Sequence, residues 1–295
     1  MITRRLTLLG GLLAPALAGC AAPLAPLQTT RTTDAARALL AESAAAHGLA
    51  AFAALDDLNV SYLGAWRPVV GSLQPALVNA EFRGGSQERL LLRQNWVAQA
   101  HTGPAGQKQV LRQTDAVRVW FNGAESQDND ARHAAALVAD DYGLFLLGPM
   151  LLAGNTAGRT LVMETAAPET LEQDGQEYPC DVLRVRLVPG LGLSARDEIA
   201  LSIDRAEKLM RRVRFSLDGL DSTQGAVAEV DTQNHVMRHG VRWPTRFHER
   251  LLRPLPLPVH DWQLTGLDVN RGLTPDDIAG PTFTGRAIPP AAVLA

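Results

Sequence analysis

From residue 57 onward, apolar and polar side chains alternate along most of the chain. Leu58, Val60, Tyr62, Gly64 and Trp66 alternate with Asn59, Ser61 and Ala65. Leu183, Val185 and Leu187 alternate with Arg184 and Arg186, and Ile199, Leu201 and Ile203 with Ala200, Ser202 and Asp204. Over 209–217, Leu209, Val213, Phe215 and Leu217 share one face, and Met210, Arg212, Arg214 and Ser216 the other; Arg211 interrupts the apolar side. A period of two predicts strands with one face on a core and the other toward water. Residues 78–83, 88–98, 109–113, 116–121, 159–164, 226–231, 241–251 and 260–269 carry further strand signals. The links between them are short and hold Gly, Asp or Asn, as at Gly84-Gly85, Asn122-Gly123 and Asp218-Gly219. Such spacing favours an antiparallel meander over βαβ units.

Two stretches break the alternation. Thr33-Asp34 supplies a helix cap, 35–47 holds good helix formers, and Gly48 stops the run. Asp128-Asn129-Asp130 caps a second helix. It begins Ala-rich and continues through Leu144, Phe145, Leu147, Met150, Leu151 and Leu152. This insert, about 130–152, reads as a helical lid with a greasy second half. The predicted class is therefore mainly β with a few helices (α+β). Residues 66–77 form a long connection, and the Gly- and Pro-rich stretch 272–295 reads as an extended, weakly ordered tail strapped across the sheet.

The N-terminus carries a different signal. Arg4-Arg5 precedes a short apolar run that ends in Leu17-Ala18-Gly19-Cys20. A basic start, a short apolar run and small residues at its end read as a secretory signal peptide over 1–19. The Leu-Ala-Gly-Cys ending resembles the lipobox of bacterial lipoproteins. That resemblance implies cleavage before Cys20 and lipidation of Cys20 with acyl chains of the palmitate class. An ordinary signal peptide with an incidental Cys20 is the alternative. Lipidation would anchor the chain to a membrane, with 20–33 as a flexible tether. The residue after the cysteine is Ala21 rather than Asp. By the same resemblance this favours the outer membrane over the inner, with the domain facing the periplasm.

Composition narrows the chemistry. The formal net charge is −3, and no basic stripe with interleaved aromatics occurs, which argues against nucleic acid as a partner. Cys20 and Cys180 are the two cysteines. With Cys20 lipidated, Cys180 has no disulfide partner and reads as a small apolar residue in a strand. The chain has no G-x-S-x-G elbow, no C-x-x-C and no phosphate loop. His235 and His239 lie in a turn entering a strand, a poor register for a metal pair. His260-Asp261 and His248 are the remaining candidates for hydrolysis, without a serine or cysteine to activate. Asp140 and Asp141 read as solvated or capping carboxylates. The expectation is a protein without catalytic residues, cofactor or metal.

Helix, first strand set, helical insert and second strand set follow one another in this order. Together with the lipobox, the succession 180–188, 197–204 and 209–217, and the Ile203-Asp204-Arg205 turn, this outline resembles the LolA/LolB-like superfamily of lipoprotein-localisation factors. The likeness spans roughly residues 34–271. It implies a strongly curved antiparallel sheet, an unclosed β-barrel, covered by a helical lid and holding an acyl chain, a lipoprotein or another apolar ligand. The lid would contribute Leu144, Phe145, Leu147, Met150 and Leu151. The strands would contribute Tyr62, Trp66, Trp96, Phe121, Phe215, Trp243 and Phe247. The alternative for these residues is a filled core. A second functional reading is an envelope interaction module, with Arg184, Arg186, Arg212 and Arg214 facing an acidic protein partner.

Overall fold

The computed structural model describes residues 24–154 and 158–294; Cys20 and the export segment lie outside them. The alternating stretches become strands. In chain order these are β1 (Asp57–Trp66), β2 (Gly85–Leu91), β3 (Trp96–Gly103), β4 (Gly106–Arg112), β5 (Val117–Phe121), β6 (Ala124–Glu125), β7 (Thr160–Gln173), β8 (Gln176–Val188), β9 (Asp197–Asp204), β10 (Met210–Ser216), β11 (Val227–Gln233), β12 (Val236–Arg238), β13 (Val241–Trp243), β14 (Arg246–Arg253) and β15 (Leu257–Val269). Thirteen of them form one sheet in the order β6-β5-β4-β3-β2-β1-β15-β14-β11-β10-β9-β8-β7, and β12 and β13 form a separate two-stranded sheet. The pairings are antiparallel. The sheet curves but does not close, leaving β6 and β7 as its edges.

The helices are α1 (Asp34–His47), α2 (Leu49–Phe52), α3 (Pro68–Leu73), α4 (Pro75–Val78), α5 (Asn129–Ala153) and α6 (Pro275–Ile278). The Thr33 hydroxyl accepts from the Ala36 amide at 3.3 Å, and Gly48 ends α1 at φ 97°. The Asp128 carboxylate accepts from the Asp130 amide at 3.0 Å and starts α5. Ala135 and Ala136 of α5 pack on Val110, Val117 and Val119 of β4 and β5, toward one edge of the sheet. Further along α5, the Phe145 ring lies 5.0 Å from Phe215 on β10, toward the other edge. One helix touches both arms because the sheet curls around it. The concave face and α5 therefore make one continuous core. The helix bends at Gly148, at φ 40°, where a Cβ would lie 2.7 Å from Met210 Cε. Pro149 follows; its ring has no N–H to donate back along the helix.

Several boundaries differ from the pattern-based expectation. Residues 78–83 are helical rather than strand. Pro75 starts α4, and Asn79 at φ 45° leads into a 3₁₀ turn, Ala80–Phe82. The long connection before it is structured too, with Pro68 starting α3. The strand expected over 88–98 is two strands, separated by a polar turn with Asn95 at φ 55°. The one expected over 241–251 breaks at Pro244, which cannot donate to a ladder.

Both ends of the domain are tied down. The tether expected over 20–33 is held to β7 from Leu27 on. Leu27 is buried, the Gln28 and Thr29 amides donate to the Glu164 carboxylate at 3.3 and 3.2 Å, and the Thr33 amide donates to the Met163 carbonyl at 3.0 Å. The tail crosses the convex face and is held there by hydrogen bonds and apolar contacts. The Asp57 carboxylate accepts from the amides of Arg271, Gly272 and Leu273 at 2.9, 2.8 and 3.0 Å. Ile278 and Ala287 pack on Leu91, Ala98, Leu111 and Trp120. Arg89, fully buried on β2, donates to the carbonyls of Ala287 and Pro289 at 3.1 and 2.7 Å.

Candidate ligand-binding cleft

Most of the residues expected to line a cavity fill the core instead. Tyr62, Leu144, Phe145, Met150, Phe215, Trp243 and Phe247 belong to a single buried cluster. The Phe247 ring stacks on Trp262 at 4.9 Å, and Trp243 Nε1 donates to the Arg238 carbonyl at 2.9 Å. Helix α5 covers the concave face as the expected lid, and much of its apolar side is packed into the core. Phe121 packs apart from this cluster, 5.1 Å from Phe82. Trp66 stacks on His260 at 4.1 Å. Cys20 lies outside the described residues.

An open volume remains along one stripe of α5. Ala139, Gly143, Leu147 and Leu151 stand four residues apart and border a cleft of about 530 Å³. The β2–β3 hairpin also lines it, with Leu90, Leu92, Trp96 and Val97, as do Phe52 of α2 and Leu193. Of the proposed lining residues, the cleft brings together Trp96, Leu147 and Leu151. At Gly143 the helix leaves open space: a Cβ there would meet no atom within 4 Å. The volume falls in the range of small-molecule sites, about 300–1,000 Å³, which are mostly apolar with a few polar groups. Another groove of about 660 Å³ lies among Glu172, Asp174, Arg246, His248 and Asp261, and its lining is chiefly polar.

The polar end of the cleft is a closed charge cluster. Asp140 accepts from Arg112 Nε and Nη2, both at 3.2 Å, from Arg159 Nη2 at 2.6 Å and from the Gly192 amide at 2.9 Å. Arg112 also donates to the carbonyls of Gln113 at 2.7 Å and Gly192 at 2.9 Å. This corrects the reading of Asp140 as a solvated carboxylate: α5 carries it into a pocket between β4 and the start of β7. Its neighbour Asp141 is buried as well, and burial pushes its carboxyl well above the usual range, with Glu249, Asp140 and Asp197 adding repulsion.

The pleat separates His260 from Asp261 and His248. His260 and Asp261 are adjacent in β15 and therefore point to opposite faces. His260 lies between Trp66 and Trp262, and burial holds its pKa well below 6.5. Asp261 faces the other way and pairs with His248 and with Arg67, the latter at 2.5 Å. His235 packs edge-on against His47, with ring centres 5.6 Å apart. The Cys180 thiol is buried, and burial pushes it up to about 12.

The arginines proposed to meet an acidic partner are already paired. In the sheet register Arg184 faces Glu164, Arg186 faces Glu198, Arg212 faces Asp231 and Arg214 faces Glu229. Each forms an ion pair with its facing carboxylate, at 3.2, 2.8, 2.5 and 2.8 Å in the same order. Arg214 also holds Glu169 at 2.8 Å. Alternation shows that these arginines share a face; it does not show that pairing places a carboxylate opposite each one.

Sequence reasoning missed Phe52, Leu92, Arg112, Gly143 and Arg159. The stripe at 139, 143, 147 and 151 was the available signal: a constant spacing of four with its smallest member inside.

No family model and no curated protein matches the chain in sequence. Among solved structures, the chain is similar to a LolA superfamily protein from Nitrosomonas europaea, at 14% identity and a TM-score of 0.44, over 85% of this chain and 97% of that one. It is also similar to a DUF1329 family protein from Desulfovibrio piger, at 11% identity and a TM-score of 0.47, over 83% and 98%. Lipoprotein LppX from Mycobacterium tuberculosis matches at 15% identity and a TM-score of 0.27, over 63% and 91%.

Proposed function

We propose that this protein holds an apolar ligand, an acyl chain or the acyl part of a lipoprotein, in the cleft beside α5, and that it binds without chemical conversion. The single observation that carries this reading is the apolar stripe of α5 facing an open volume of about 530 Å³ at Gly143. An extended hydrocarbon laid along Leu147, Leu151, Trp96 and Phe52 would be held at about 25 cal/mol per Å² removed from water. Asp140 with its two arginine partners, Arg112 and Arg159, borders the polar end of the cleft. In the same proposal the protein is held by lipidated Cys20 on the outer membrane, with the domain in the periplasm.

The test is native mass spectrometry of protein released from membranes by replacing Cys20 with Ser, followed by titration of the stripped protein with a fluorescent fatty acid. Co-purifying lipid and saturable uptake at one site support the reading. Protein that comes clean and takes up no probe overturns it.

A further inference from the structure

A second, much smaller chamber lies on a different face of α5. Its volume is about 20 Å³, room for about one water-sized guest. Tyr62, Trp66, Arg83, His101, Tyr142 and His260 wall it.

Arg83 is only 8% exposed. Its Nη2 donates to the Tyr142 hydroxyl at 2.9 Å, its Nη1 reaches the Leu77 carbonyl at 3.4 Å, and the guanidinium lies 4.8 Å over the Trp66 ring. Among the described residues it has no carboxylate partner, whereas Arg112, Arg211 and Arg212, similarly buried, each hold one. Buried cations are ordinarily paired, and a guanidinium has five N–H donors to satisfy. His101 is 2% exposed and Tyr62 4%, and neither the ring nor the hydroxyl finds a hydrogen-bond partner among the described residues. Gly64 also borders the chamber. A methyl there would sit 2.7 Å from His260 Nε2, so the glycine keeps that edge open.

We infer that this chamber binds one compact monoanion, a halide or the carboxylate of a formate-sized acid, against the Arg83 guanidinium, with Tyr62 and His101 donating to it. A water molecule would satisfy hydrogen bonds but bring no charge of its own to the Arg83 guanidinium.

The surrounding titratable groups set a pH dependence. Glu88 on β2 and Glu249 on β14 are each pushed up to about 7, chiefly by burial, so both lose their charge as the pH falls toward 6. Lys108 on β4 is pushed down to about 7 by burial, with Arg83 adding repulsion. Burial keeps His101, His260, Tyr62, Tyr142 and Asp141 uncharged. Moving from pH 8 to pH 6 protonates the two glutamates and Lys108, and each change favours an anion.

Bromide is the probe. Crystals of the protein grown in bromide should show one anomalous peak in the chamber beside Arg83. In solution, bromide should quench Trp66 and Trp262 saturably, more tightly at pH 6 than at pH 8, and formate should compete. R83Q should weaken this saturable phase by about tenfold or more, the scale of a lost charged hydrogen bond. Circular dichroism would check that R83Q is folded. A water in the chamber with bromide confined to the outer surface would overturn the inference, as would unchanged saturable quenching in folded R83Q. If R83Q does not fold, the wild-type crystal decides alone. Blocking the cleft with G143L should leave bromide binding intact, so this site and the acyl site stand or fall separately.

Discussion

Arg159 at the start of β7 and Asp140 in the middle of α5 are joined at 2.6 Å, which ties an edge strand to the central helix. Arg112 grips the same carboxylate from β4, so one acid links the two arms of the sheet through the helix between them. Removing its charge would leave two arginines in a poorly solvated pocket. Breaking a buried pair in this way typically costs about 3–5 kcal/mol. D140N should lower unfolding stability in urea by an amount in that range, and it should loosen the cleft whose polar end it closes. A loss below about 1 kcal/mol would mean that the cluster behaves like a surface salt bridge.

The cleft can be filled without disturbing its walls. Gly143 sits in regular helix, with no atom within 4 Å of where its Cβ would be. Gly inside a helix is less favourable than Leu by up to about 1 kcal/mol. G143L should therefore keep or raise the melting temperature while abolishing fatty-acid uptake. Uptake at wild-type level in folded G143L would place the acyl site elsewhere.

How much of this was legible in the sequence differs by level. Alternation located most strands, and Thr33, Gly48 and Asp128 marked helix ends where the caps are found. Local chemistry decides such features, and local chemistry is visible in sequence. How much of α5 is packed and how much borders open volume is not legible, because a greasy helix looks the same whether it covers a cavity or fills one; only the curl of the sheet around it decides. The facing of Arg214 and Glu229 depends on the β10–β11 register, and the Arg112–Asp140–Arg159 cluster joins three segments distant in the chain. The cleft itself is an unfilled gap between β2–β3 and α5, which no single segment encodes. Its nearest trace was Gly143 within the stripe of four.

Stability should depend on pH through the two buried glutamates. The ordinary value for each is 4.5, and burial pushes both up to about 7 in the fold. Between these values the folded state binds more protons than the unfolded chain, so stability falls as pH rises. This contribution is complete below pH 4.5 and lost by about pH 7. E88Q mimics the protonated acid and keeps a side chain that Gln99 can bond. Urea unfolding across this window should show a downward slope for the wild type and a shallower one for E88Q. Equal slopes would mean that Glu88 is not held protonated.

The tail after Arg271 should be part of the folding unit rather than an appendage. It covers Leu91, Ala98, Leu111 and Trp120 with Ile278 and Ala287, and its carbonyls accept from the fully buried Arg89. Ending the chain at Arg271 would expose that apolar patch, at about 25 cal/mol per Å². It would also take away Arg89's acceptors at Ala287 and Pro289, with a cost on the order of 1–3 kcal/mol for a buried donor left unsatisfied. The convex faces of β2–β5 would then be free to associate. The shortened chain should melt well below the full one and self-associate in sedimentation velocity. Replacing Arg89 with Met in the shortened chain removes the stranded charge and should recover part of the lost stability. No recovery would show that the tail acts through apolar cover alone.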